Sequence, residues 1–176
     1  MNAVSIGDFV MYKNGSVCRI CDISKLSFGG TPEREYYKLE TIGENSSVIY
    51  VPLDSDIPMR RIMNRDEIMQ TLDEAAREIA TIDAGAESPL WRESPKERSI
   101  EFNAIIDSGD RVRILRMLSL LAHHREKLEK TRKKLYAADE RCFNAGVRLI
   151  GEEFAFVLGI SKDDVTQFIT KRLYGE

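Results

Sequence analysis

Apolar and polar residues alternate on a short period over the first 60 residues and on a helical period after them. Segments 7–12 (GDFVMY), 16–23 (SVCRICDI), 36–42 (YYKLETI) and 47–52 (SVIYVP) are rich in β-branched and aromatic residues, which suit a pleated, half-buried surface. Asn14-Gly15 is a dipeptide favoured in type I′ hairpin turns, where both positions must accept positive φ. Gly29-Gly30 with Pro32 marks a longer loop, and Gly43-Glu44-Asn45 a second hairpin. Four or five short strands at this spacing predict a small twisted antiparallel barrel.

Beyond Pro58 the period becomes helical. Asn64 with Glu67 three residues on reads as a capping box, and Ile68, Leu72, Ala75 and Ile79 follow at helical spacing. The stretch 83–94, DAGAESPLWRES, reads as a connection. Ser94 then caps a helix with Pro95 at its first position, running to about Asp107 and stopping at Ser108-Gly109. Asp110 opens the longest predicted helix, to about Lys134, with an apolar stripe of Ile114, Leu118, Leu121, Leu128 and Leu135. Phe143, Val147, Ile150, Phe154 and Val157 predict the buried stripe of the next helix. Gly159 ends it, and Ser161 caps a last helix whose inner face is Val165, Phe168, Ile169 and Leu173. The expected class is α+β in two domains, a sheet over 1–62 and an all-α domain over 63–176.

Charge changes this picture locally. The net charge is −3, which alone gives no warrant for nucleic-acid binding. From Asp66 to Glu87, however, seven acidic residues accompany one basic residue, whereas Arg111 to Lys134 holds nine basic and two acidic ones. At 100° per residue, Arg113, Arg116, His123, Lys127, Lys130 and Lys134 fall on one stripe beside the apolar one. A basic ridge and a merely solvated face both fit this pattern, since acidic neighbours on other helices could neutralise it.

Catalytic chemistry finds no support. The chain lacks GxxxxGK[ST], HExxH and G-x-S-x-G patterns. His123-His124 and Glu152-Glu153 are adjacent helical pairs, and neighbours about 100° apart do not converge on a metal or a substrate. Cys18 and Cys21 form a single C-x-x-C on a strand, where they point to opposite faces unless a bulge intervenes. With Cys142 they make an odd number of cysteines, fitting buried thiols in a reducing compartment. The expectations are a cytoplasmic, monomeric, non-enzymatic protein with no cofactor, no metal and no membrane partner. The MNAVSIGDF start has no signal-peptide pattern, and no apolar run nears the roughly 20 residues of a membrane span.

The residues resemble the CarD/CdnL family of bacterial transcription regulators. The likeness runs through GDFVMYKNGSVCRICDI, Tyr36-Tyr37-Lys38-Leu39 and Val48-Ile49-Tyr50-Val51-Pro52. It continues through FNAIIDSGD with RVRILRMLSLL, and LYAADERCFNAGVRLIGEEFA, covering about residues 5 to 158. The resemblance implies a Tudor-like N-terminal domain that binds the β subunit of RNA polymerase through a sheet edge. It also implies a helical domain that approaches promoter DNA, without base-specific reading, and modulates open-complex stability. Carried over by position, the polymerase contacts are Lys25 and the strand Ser47, Val48, Ile49 and Tyr50, with Tyr50 standing where a basic residue is also known. For DNA the resemblance implies Trp91 as a minor-groove wedge beside Arg92, Lys96 and Arg98. The basic residues Arg113, Arg116, Lys127, Lys130, Lys134 and Arg141 are the expected phosphate contacts.

Three alternatives remain open at this level. The strand SVIYVP reads equally as an internal strand, and Trp91 equally as a packed residue. The whole chain also reads as a Tudor-like adaptor that binds a peptide or protein and not DNA, with Phe9, Tyr12, Tyr36, Tyr37 and Tyr50 as possible cage residues. Helix 159–176 lies beyond the resemblance and receives no role from it.

Overall fold

Alternation in the first segment becomes five antiparallel strands: β1 (Phe9–Tyr12), β2 (Ser16–Leu26), β3 (Arg34–Thr41), β4 (Val48–Pro52) and β5 (Met59–Arg61). Five helices follow: α1 (Arg65–Asp83), α2 (Pro95–Ser108), α3 (Arg111–Lys130), α4 (Ala137–Leu158) and α5 (Lys162–Tyr174). The computed structural model describes residues 4–13, 15–30, 32–43, 46–83 and 90–174. The chain divides into two units, Met1–Met63 and Asn64–Glu176. Among the described residues no helix is long and apolar enough to cross a membrane.

The strand order is β4-β3-β2-β1-β5. No pairing of β4 with β5 closes the ladder among the described residues, so the expected barrel is a sheet with two edges. Its core face carries Val10, Cys18, Ile20, Leu39 and Val51, with Tyr12, Tyr37, Ile49 and Met59 packed against them. At the first hairpin the Gly15 N–H donates to the Tyr12 carbonyl (3.1 Å). That bond puts Lys13, at φ 50°, at the first turn position instead of Asn14, which lies outside the described residues. Glu44 and Asn45 of the second predicted hairpin lie outside them too.

The helix starts follow their predicted caps. The Asn64 N–H donates to Glu67 Oε2 (2.6 Å) and the Glu67 N–H to Asn64 Oδ1 (2.9 Å), a reciprocal capping box. The Ser94 hydroxyl accepts from the Glu97 N–H (3.4 Å) and the Asp110 carboxylate from the Arg113 N–H (3.1 Å). Gly109 closes α2 at φ 68°, a left-handed conformation that glycine adopts without steric cost.

The end of α3 departs from expectation. It stops at Lys130, and residues 131–136 are a loop, so Lys134 does not belong to a helical stripe. The Lys133 N–H donates to the Leu128 carbonyl and the Arg132 N–H to the Glu129 carbonyl (both 2.9 Å). This is a Schellman cap, built here with Arg132 at φ 57° instead of a glycine.

Ile68, Leu72, Phe102, Ile114, Leu121 and Phe154 form the centre of the helical unit. Two arginine–carboxylate pairs lie buried within it, Arg98 with Asp139 (2.7 Å) and Arg111 with Glu153 (2.8 Å). An exposed pair, Arg172 with Asp73 (2.6 Å), ties α5 to α1. On α4 the buried line is Asp139, Cys142, Gly146, Leu149 and Glu153, with Ile150 and Phe154 beside it. Of the predicted stripe, Ile150 and Phe154 are buried as expected, whereas Val147 is 38% exposed and Phe143 and Val157 are only half-buried.

Candidate functional site

An edge strand offers whatever backbone groups its neighbour does not use, and hydrogen-bonded pairs alternate along an antiparallel ladder. The Thr41 N–H donates to the Ser47 carbonyl and the Leu53 N–H to the Glu35 carbonyl (both 3.0 Å). The register between them runs from Glu40↔Val48 to Tyr36↔Pro52. By that alternation Ser47, Ile49, Val51 and Leu53 turn their backbones to β3, while Val48, Tyr50 and Pro52 turn theirs outward. Ser47 confirms the pattern, because its own N–H is spent on Thr41 Oγ1 (2.8 Å). The free rim of β4 is therefore the N–H and carbonyl groups of Val48 and Tyr50, because the Pro52 carbonyl accepts from the Ser55 N–H (3.1 Å). It ends at Pro52, which has no N–H.

Side chains divide the same way. Ile49 and Val51 face the core, and Val48 and Tyr50 are 52% and 41% exposed on the outer face. There the Phe28 ring meets Tyr36 edge-on at 5.2 Å and Tyr50 at 5.7 Å. Phe28, in the loop after β2, carries no strand periodicity and was not among the expected contacts. The five proposed cage aromatics do not converge: Tyr12 and Tyr37 pack toward the core, and Tyr36 and Tyr50 lie on the opposite face. Lys25 pairs with Glu35 in register, which puts it on the face of Tyr37 and away from Tyr50.

The cysteines stay apart even though β2 has a register shift between Ile20 and Asp22. Cys18 is fully buried in the core, whereas the Cys21 thiol lies 3.5 Å from Glu40 Oε2. Among the described residues no cluster of His, Cys, Asp or Glu could hold a metal. Burial pushes the Cys18 thiol up to about 11 from its ordinary 9.0. The folded state thus favours the protonated thiol. Its contribution to stability is complete below about pH 9 and is lost as pH rises toward 11, by up to about 2–3 kcal/mol. Urea midpoints followed across that range should fall faster for the native chain than for Cys18→Ala; equal slopes would refute this.

In the helical unit the expected DNA contacts separate into engaged and free groups. Arg98 is a correction: it is 2% exposed, and Nε and Nη2 donate to the Asp139 carboxylate at 2.7–3.2 Å. Its Nη1 donates to the carbonyls of Arg92 (2.5 Å) and Glu93 (3.3 Å), leaving nothing for a phosphate. Trp91 is half-buried, with the Arg98 guanidinium 4.3 Å from its ring centroid and the His124 ring at 4.1 Å. Burial first, and then the Arg98 charge, lower the His124 pKa, so a neutral imidazole lies against the indole. Arg116 pairs with Glu78 of α1 (2.5 Å), Lys130 with Glu126 (2.8 Å), and Arg92 approaches Glu101 (3.7 Å).

Lys96, Arg113, Lys127, Lys134 and Arg141 are exposed and form no ion pair among the described residues. Arg132 and Lys133, which the expected set omitted, are exposed in the same loop as Lys134. Lys127, Arg132, Lys133 and Lys134 thus lie where α3 ends, whose carbonyl groups favour positive charge, whereas Arg113 sits in the first turn of that helix and Lys96 on α2.

The open antiparallel sheet leaves the outer edge of β4 without a partner strand among the described residues, a geometry by which sheets can accept another strand. Residues 4–63 match the family model of the CarD-like/TRCF RID domain. The match spans most of the first unit and none of the helical one. CarD/TRCF RID domains bind the RNA polymerase β subunit, and the CarD-like family is non-enzymatic. No curated protein matches the chain.

Proposed function

We propose that this chain is a transcription regulator that docks on the RNA polymerase β subunit through the free rim of β4. Its helical unit contacts promoter DNA without reading sequence and so modulates open-complex stability. The observation that carries the reading is the unpaired rim of Val48 and Tyr50 inside a unit that matches the CarD-like/TRCF RID domain. The DNA half is supported by the exposed cations at the end of α3, chiefly Lys127, Lys133 and Lys134.

Phosphate contacts release counterions, so log affinity should fall with log salt by about 0.9 per contact. For the full chain on labelled promoter duplex, with polymerase present, changing Lys127, Lys133 and Lys134 together to Gln should lower that slope by about 2–3. Arg116→Gln should leave it unchanged, because Arg116 is already paired. An unaltered slope in the triple variant would overturn the DNA half.

The internal engagement of Trp91, Arg98 and Arg116 favours a second reading, an adaptor that binds a protein partner and not DNA. It predicts no salt-dependent DNA binding at all.

A further inference from the structure

Helices α3, α4 and α5 line a half-open groove of about 540 Å³, within the range of roughly 300–1,000 Å³ typical of small-molecule sites. Its lining runs along α4 from Phe143 to Glu152, which makes it about 13 Å long at a rise of ~1.5 Å per residue. The walls are apolar, with Leu118, Phe143, Val147, Ile169 and Leu173 among them. This explains why Phe143 and Val147, placed by spacing to be buried, are left partly uncovered.

A glycine on the wall points the same way. Gly151 lies buried in the middle of α4, where glycine is less favourable than alanine. At Gly146 of the same helix that cost has a return, since an added Cβ would sit 3.0 Å from Leu118 Cδ2. At Gly151 an added Cβ would meet nothing within 4 Å. No neighbour demands the glycine; it leaves the slot wider.

The polar groups of the rim are unequal. The Ser119 and Tyr174 hydroxyls satisfy each other at 2.6 Å. Lys162 is paired with Glu152, and Asp163 sits in the first turn of α5, where the helix N-terminus favours its charge. Arg148 is exposed on α4 and forms no ion pair among the described residues. An apolar slot with a guanidinium at its rim that forms no ion pair among the described residues suits a chain-like apolar body with an anionic head, because Arg grips carboxylates in two places at once.

We infer that the α3–α4–α5 slot binds a single-chain amphiphilic carboxylate, its chain along Gly151 and its head on Arg148. The inference is independent of polymerase and DNA binding, and it gives α5 a role as one wall of the site.

Titration of the full chain with decanoate below its micelle concentration, followed by calorimetry and amide NMR shifts, tests it. Saturable one-to-one binding is expected. Gly151→Leu should weaken it tenfold or more. Arg148→Glu, a surface change, should weaken decanoate tenfold or more while leaving decanol unaffected. Gly151→Ala should raise the melting temperature by about 2–4 °C without ligand, showing that the position tolerates a side chain. Absence of saturation, or binding unchanged in Gly151→Leu or Arg148→Glu, would overturn the proposal. So would self-association of the chain through this face that decanoate does not displace.

Discussion

Val48→Pro should abolish co-elution of the full chain with the polymerase β subunit while leaving its urea midpoint nearly unchanged. Ile49→Pro, one residue on, should lower the midpoint as well. The difference follows from the direction of two N–H groups. That of Ile49 turns to β3, so losing it breaks a ladder bond inside the sheet. That of Val48 turns to the open rim, the one strand position where proline is tolerated. The ring at Val48 removes one of the rim's two donors and sets its own bulk where a partner strand would lie. An unsatisfied partner carbonyl costs about 1–3 kcal/mol, which with the steric block amounts to a tenfold or greater loss of affinity. Tyr50→Ala should weaken docking less, because backbone pairing survives the loss of a side chain. Undiminished binding by Val48→Pro would show that the partner does not use this edge.

Alternation alone does not say which strand is the edge; the resemblance points to the strand of Ser47 to Tyr50, and the strand order puts β4 at an edge. SVIYVP alternates as an internal strand does, and alternation reports faces, not neighbours. The opposite edge, β5, is only Met59-Arg60-Arg61, too short and too charged to read as a strand. Charge on a short edge strand also guards against wrong pairing. Helix starts were legible because Asn64, Ser94 and Asp110 carry their chemistry locally. The end of α3 was not, since Arg132 takes the position that glycine usually marks. On α4 the partly misplaced stripe has a similar cause. Asp139, Gly146 and Glu153 occupy the line that is in fact buried, and polar residues hide a buried stripe from any apolar pattern.

The same blindness put Arg98 among the DNA contacts: its partner lies 41 residues away, where no spacing rule reaches. That pairing sets the second large expectation. Asp139→Ala should destabilise the helical unit by about 3–5 kcal/mol, because it leaves a buried cation without its counter-charge. Whole domains are stable by only about 5–15 kcal/mol, so a large part of the margin would go. Trp91, the single tryptophan of the chain, rests on the Arg98 guanidinium, and its fluorescence in urea reports the loss directly. Replacing both partners by apolar residues, Arg98→Met with Asp139→Leu, should recover most of the stability, since neither charge then has to be desolvated. The double variant also separates two roles for Arg98. A residue that only holds the Trp91 connection against α4 leaves the salt dependence of DNA binding unchanged in the recovered protein. A residue that reaches phosphate lowers that slope by about one contact. With its guanidinium donors directed at Asp139, Arg92 and Glu93, the first result is expected. A cost below 1 kcal/mol for Asp139→Ala would mean that water reaches Arg98 and that the pair is not the brace the geometry describes.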